Sequence, residues 1–130
     1  GGVCRRKARA EPFTQAAPRM TARLAAGLWV EAYRSRLRLA DIPVYVTAKG
    51  DPTAGAVAVK CATLDGQAVA WQQVLDPATG ARVWARYAEG AEAAVDAALA
   101  RARARDPDLW ILEIEDRAGR TLLDEPGLSD

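Results

Sequence analysis

The residues best able to do chemistry in this chain are carboxylates, five of them within eleven positions: Asp106, Asp108, Glu113, Glu115 and Asp116. Glu113 and Glu115 fall on one face of an extended segment, about 7 Å apart. Such a pair can hold a hard cation through one or two oxygens, with water or phosphate completing the shell. With Asp51 from an earlier loop, the set Asp51, Asp108, Glu113 and Glu115 is a candidate metal site for a metal-assisted hydrolase or phosphotransfer enzyme, and Arg117 or Arg120 would hold an anion. The structural reading is simpler. Asp106-Pro107-Asp108 is turn chemistry and Asp116 opens a hairpin loop, while Glu113 and Glu115 face solvent or pair with Arg117 and Arg120.

A second constellation is Arg82, Trp84 and Arg86, an aromatic between two guanidiniums on one side of a strand, extended by Lys60 and Trp71. This arrangement stacks a base and holds phosphates, or it engages a protein partner, because aromatics and Arg dominate interface hot spots. The plain alternative is an edge strand kept soluble by charge, with its Trp covering a core margin. Trp29 and Trp110 sit beside aliphatic residues and are expected in the core. The loop Lys49-Gly50-Asp51-Pro52-Thr53-Ala54-Gly55 looks superficially like a phosphate cradle, but lacks P-loop spacing and precedes a strand rather than a helix, so it is read as a turn.

Composition removes several classes. The 130 residues include no histidine, which excludes Ser-His-Asp and Cys-His nucleophile pairs and His-containing metal sites. Cys4 and Cys61 have no metal-ligand spacing, and Cys61 reads as a small buried hydrophobe. Residues 1–19 carry a net charge of +4, with two prolines and no periodicity. They are expected to be a disordered basic leader ahead of a natural start at Met20, so that residues 20–130 form the domain. Those residues carry a net charge of −3, an argument against nonspecific nucleic-acid binding. With no membrane span or secretory segment in view, the expected location is cytoplasmic. No cofactor is implied.

The elements follow from periodicity. Val30, Tyr33, Leu37 and Ala40 mark one face of a helix over 27–40, which Pro43 stops. Ile42, Val44 and Val46 alternate as a strand, and 56–64 and 67–75 flank Asp65-Gly66, a strong hairpin signal. A two-residue turn there sets Val57 opposite Val74, Lys60 opposite Trp71 and Cys61 opposite Ala70. The lysine stem would then lie over the indole. Residues 82–87 read as a strand, 89–104 as an alanine-rich helix, Leu109 to Glu115 as a central strand, and Thr121 to Leu123 as a further strand across a hairpin. The order predicts an α+β fold with a mostly antiparallel sheet and both helices packed on one face.

Residues 20–124 resemble a family of small alphaproteobacterial proteins, a domain of unknown function. The resemblance rests on Leu28-Trp29-Val30, on Lys49-Gly50-Asp51 with Ala54-Gly55, on Asp65-Gly66, and on Asp106-Pro107-Asp108-Leu109-Trp110 running on to Glu113, Glu115, Asp116, Arg117 and Gly119-Arg120. It implies no activity, ligand or catalytic residue. The reading that follows is a non-enzymatic module that binds a protein partner or its own copy, as a homodimer, through an exposed sheet face or edge. The carboxylate enzyme is the alternative, and single-stranded nucleic-acid binding comes third.

Overall fold

A computed structural model describes residues 25–80 and 82–128, without the side chains of Leu75 and Arg82. The expected basic leader, 1–19, lies outside the described residues. The elements are α1 (Ala26–Leu39), β1 (Val44–Ala48), β2 (Val57–Ala62), β3 (Gln67–Leu75), β4 (Arg82–Ala91), α2 (Glu92–Arg105) and β5 (Trp110–Glu115). The five strands form one sheet in the order β1-β5-β2-β3-β4. Every neighbouring pair is antiparallel except β2 with β5, which run parallel. The α+β class and the mostly antiparallel sheet are therefore as expected.

The two helices lie on opposite faces, which corrects the expectation that they share one. Alternation along β2 sends Val57, Val59 and Cys61 into a core with Trp29, Val30, Tyr33 and Leu37 of α1, where Trp110, Leu112 and Ile114 of β5 join them. It sends Ala58 into a second core with Val95, Leu99 and Ala102 of α2, together with Ala68, Ala70 and Ile111. All six residues of β2 are buried, as expected of a strand covered on both sides. The alanines on the second face let α2 approach the sheet closely.

The hairpin register is shifted by one residue. Val59 faces Trp71 and Lys60 faces Ala70. The turn uses three residues rather than two, because Leu64 takes a left-handed conformation (φ 63°) along with Gly66 (φ 88°). Thr63 N–H donates to Gln67 O at 3.2 Å to close it. Asp65 Oδ1 fixes the loop by accepting from Thr63 Oγ1 at 2.6 Å and Gln67 N–H at 3.1 Å. A one-residue slip changes which face every side chain meets, so Trp71 and Lys60 sit on different faces.

The further strand expected at Thr121 to Leu123 does not form: Leu122 has φ 60° and its carbonyl accepts from Glu125 N–H at 3.1 Å, which turns the chain. The segment after it nonetheless covers the α1 face, burying Leu123 and Leu128 there. The indole N–H groups of Trp29 and Trp84 both donate to Leu128 O, each at 3.3 Å.

Candidate functional site

The sequence motifs first resolve into structural devices. In the loop between β1 and β2, Asp51 Oδ2 accepts from the N–H groups of Thr53 and Ala54 at 3.1 and 2.7 Å. The carbonyls of Thr53 and Pro52 accept from Ala26 and Gly27 N–H, so the loop supplies the N-terminal cap that Ala25 lacks a side chain to provide. Two of the amides at the start of α1 are thereby occupied. Asp51 N–H donates to Asp108 O at 3.0 Å, and Trp110 Nε1 donates to Asp51 O at 2.7 Å. Gly50 and Gly55 close around the same carbonyl: a Cβ on either would stand 2.1 or 2.4 Å from Asp108 O.

The structure therefore brings Asp51 to Asp108 through backbone, at the start of β5. Glu113 and Glu115 lie at the far end of that strand, about 16 and 23 Å beyond Asp108 at the rise of an extended chain. Among the described residues no three of the His, Cys, Asp and Glu side chains converge to hold a metal ion. Arg120 is held by Asp116 rather than by a glutamate, through contacts of 2.7 to 3.1 Å from its N–H, Nε and Nη2. The Arg120 hydrogen bonds hold the Asp116 carboxyl below the ordinary aspartate range. Arg117 is exposed.

The expected partner patch is divided by the sheet. Trp71, Trp84 and Arg86 lie on the α1 face, where Trp84 packs at 5.3 Å from Trp29 and Arg86 stands 5.2 Å over the Trp71 ring. The cation over that indole is thus Arg86, and Lys60 is on the other face. Arg82 takes part in the backbone of β4 opposite Leu75.

Lys60 is 3% exposed, among the most buried charges that a small domain can carry. Its ammonium reaches Glu92 Oε2 and Asp96 Oδ1 at 2.7 Å each, and Glu113 Oε2 at 3.3 Å. Glu92 and Asp96 are one turn apart on α2, and Glu113 stands opposite Lys60 on β5. These contacts overcome the burial that would by itself favour the neutral amine, and the ammonium titrates above the ordinary lysine range. The sequence signal was a lysine in the middle of the apolar run Val57 to Ala62, with two acids a helical turn apart downstream.

Lys60 also sits at the floor of an open cleft of about 480 Å³ between α2 and the β1–β5 side of the sheet. α2 packs over β4, β3 and the near side of β2, leaving this side of the face uncovered. Thr47, Ala48, Ile111 and Glu113 line the sheet wall, and Asp96, Leu99, Ala100 and Arg103 the helix wall. Arg103 turns its guanidinium to the carbonyls of Pro107 and Lys49, at 3.1 and 3.0 Å.

The lip of the cleft is β1. Its sequence, Val44-Tyr45-Val46-Thr47-Ala48, carries no charge, and Tyr45 and Val46 are 51% and 37% exposed. Glu115 N–H donates to Pro43 O, which makes Pro43 and Glu115 a hydrogen-bonded pair. By alternation Tyr45 bonds to Glu113, and the N–H and C=O of Val44 and Val46 point away from the sheet.

With the architecture and the cleft defined, the chain can be set beside known proteins. The model of DUF1491, a protein of unknown function, matches residues 24–124. The chain belongs to that family. Crystal and NMR structures of DUF1491 family proteins from Caulobacter crescentus CB15 are 37% and 38% identical to it, each with a TM-score of 0.70. Both matches cover 79% of this chain, and 95% and 94% of the respective structures. The solution structure of an A. tumefaciens protein is 27% identical with a TM-score of 0.63, covering 82% of this chain and 91% of that one. A comparison with curated proteins found no match. The DUF1491 relatives are alphaproteobacterial, as the resemblance implied. The Gly50, Gly55 and Asp106-to-Trp110 motifs that carried the resemblance are thus the residues that clasp the loop to the start of β5. Among the described residues no helix is long and apolar enough to cross a membrane.

Proposed function

We propose that this DUF1491 protein is a non-catalytic binding module that takes an extended segment of a partner protein along the outer edge of β1. The observation that carries the reading is the contrast between the two edges of the sheet. β4 is guarded as soluble edge strands are, with the charges of Arg86 and Glu89 along it; a register shift interrupts both edges, at Tyr87 in β4 and between Val46 and Ala48 in β1, so the difference between them is charge. β1 has no charged residue and directs the hydrogen-bonding groups of Val44 and Val46 outward beside a cleft. An added strand would satisfy those groups and cover Tyr45 and Val46.

The buried reactive groups support a role without catalysis. Lys60 is held as the ammonium by three carboxylates and is not available as a base or a Schiff-base former. Burial pushes the Cys61 thiol up to about 11, and burial also raises the Tyr33 phenol, so neither is a nucleophile near neutrality. Of the four carboxylate residues of the enzyme alternative, Asp51 and Asp108 meet at the start of β5, while Glu113 and Glu115 lie at its far end. Trp84, the centre of the nucleic-acid reading, is turned toward Trp29.

The test is selection of linear displayed peptides on the immobilised full chain, followed by amide exchange with the peptides bound. The expected result is protection of the Val44 and Val46 amides, and loss of binding in Val46→Pro, which an outward edge position tolerates. Peptides that protect other amides, or that bind the folded proline variant equally well, would overturn the reading.

A further inference from the structure

The chemistry of the segment that docks on β1 can be read from what lies beside it. We infer that the occupant is a basic extended segment of a partner protein, with Lys or Arg at alternating positions reaching over Tyr45 into the cleft between β1, β5 and α2; this rests on the edge-docking reading above.

Three observations carry it. The first is charge. At the Glu113 end of the cleft Lys60 alone stands against Glu92, Asp96 and Glu113, while the cations Arg103 and Lys49 lie toward the other end, beside Ala48, so the negative charge is concentrated where Tyr45 faces Glu113. Glu115, two residues beyond Glu113 on the same face of β5, adds to it. The second observation is geometry. Tyr45 lies opposite Glu113 on this face, with Thr47 and Ala48 farther along β1. A strand added outside β1 would lie about 10 Å from β5, two strand spacings away. A lysine stem crosses part of that gap over the Tyr45 ring, which offers its face to the cation, and the Glu113 side chain reaches toward it to close the rest. The third is the wall: Leu99, Ala100 and Ile111 provide apolar surface for the methylenes of a long basic side chain.

The charge also sets the register of the guest strand. Its side chains alternate between the faces, and only one alternation brings its cations to Glu113 and Glu115. On the opposite face the same edge offers Val44 and Val46, beside Ile114 and Leu112. The inferred guest therefore reads basic on one face and small or β-branched on the other. A second copy of the chain is a poorer guest, because antiparallel β1 pairing would bring two uncharged edges together and leave both acidic clefts without a counter-charge.

The experiment uses the full chain and three capped heptapeptides that alternate Thr with Lys, Gln or Glu, titrated at low salt and followed by the amide signals of β1 and β5. The Lys peptide is expected to bind at least about tenfold more tightly than the Gln peptide, with the Glu peptide weaker still and the preference shrinking as salt is raised. Glu115→Gln, which leaves the Lys60 contacts intact, should lower the Lys preference by about threefold, and Glu113→Gln by more. If the Gln peptide shifts the Val44 and Val46 amides with the affinity of the Lys peptide, edge docking stands and the basic guest is overturned. If none of the three binds at about 1 mM and sedimentation shows a dimer that Val46→Pro dissolves, the occupant is a second copy. Both the basic guest and the partner reading then fall. No binding and no dimer would overturn docking at this edge altogether.

Discussion

Lys60 stands opposite Glu113 on adjacent parallel strands, and its ammonium is closer to Glu92 and Asp96 of the helix above than to that neighbour, 2.7 Å against 3.3 Å. The sheet is thus tied to α2 by one buried cation shared among three acids from two elements. Lys60→Met is expected to destabilise the fold by about 2 kcal/mol. This is less than the loss of a fully buried pair, because the acids left behind are partly exposed and rehydrate. Glu92→Gln should cost under about 1 kcal/mol, since two acids remain. Urea unfolding midpoints of the two variants check the order.

The clasp around the Asp108 carbonyl leaves no room at Gly50 or Gly55. Gly50→Ala would set its Cβ against Asp108 O at 2.1 Å and Trp110 Cδ1 at 2.7 Å, with backbone rather than a flexible tip as the obstacle. The expected loss is about 3 kcal/mol or more, from overpacking of a rigid loop. Gly66→Ala, where nothing lies within 4 Å, should lose far less, and only through its positive φ. Thermal unfolding of the three proteins side by side makes the comparison.

Tyr33 and Leu37 on one face of α1, and the alternation of Val57, Val59 and Cys61, gave the elements and the first core directly. The placement of the helices was not legible, because it depends on β5 crossing back to lie beside β2. A strand apolar on both faces, as Val57 to Ala62 is, was the available sign that each face is covered. The hairpin was foreseen from Asp65-Gly66, but its register depended on Leu64 entering the left-handed region, which leucine seldom does. Lys60 was placed wrongly for that reason alone. The cleft depended on where α2 ends its coverage of the sheet, a property of packing that no local pattern carries.

Trp84 was expected to reach a partner, and it serves the fold. It packs on Trp29 and shares the Leu128 carbonyl with it. Trp84→Ala is expected to destabilise by about 2 kcal/mol, with the mass in solution unchanged. Trp84→Phe should recover most of the packing and miss the hydrogen bond, worth about 1 kcal/mol. Denaturation paired with light scattering tests both parts.

Cys61 supplies a pH dependence. Its thiol is raised in the folded state, first by burial and then by the charge of Asp116. A raised value means that folding favours the protonated form. The contribution is full below the ordinary thiol value of about 8.5 and is lost as pH rises through about 11. The wild type should therefore lose more stability than Cys61→Ala between pH about 8.5 and 11, while below that window their difference stays constant. Unfolding midpoints measured at neutral and alkaline pH give the two slopes. Labelling of Cys61 by a thiol reagent at neutral pH should be limited by opening of the structure.

The place of β5 in the sheet bears on the order in which the chain can fold. β2, β3 and β4 follow one another as a meander, and α2 returns over them, so these four elements can assemble from local contacts. β1 has its partner in β5, which arrives more than sixty residues later and enters between β1 and β2. Until Trp110 to Glu115 is made, β1 has no strand to pair with, one edge of β2 is bare, and the Asp108 carbonyl is missing from its clasp. Closure of the sheet thus rests on the longest-range strand pairing of the fold, and during synthesis the edges of β1 and β2 have no partner until residues 110–115 have emerged.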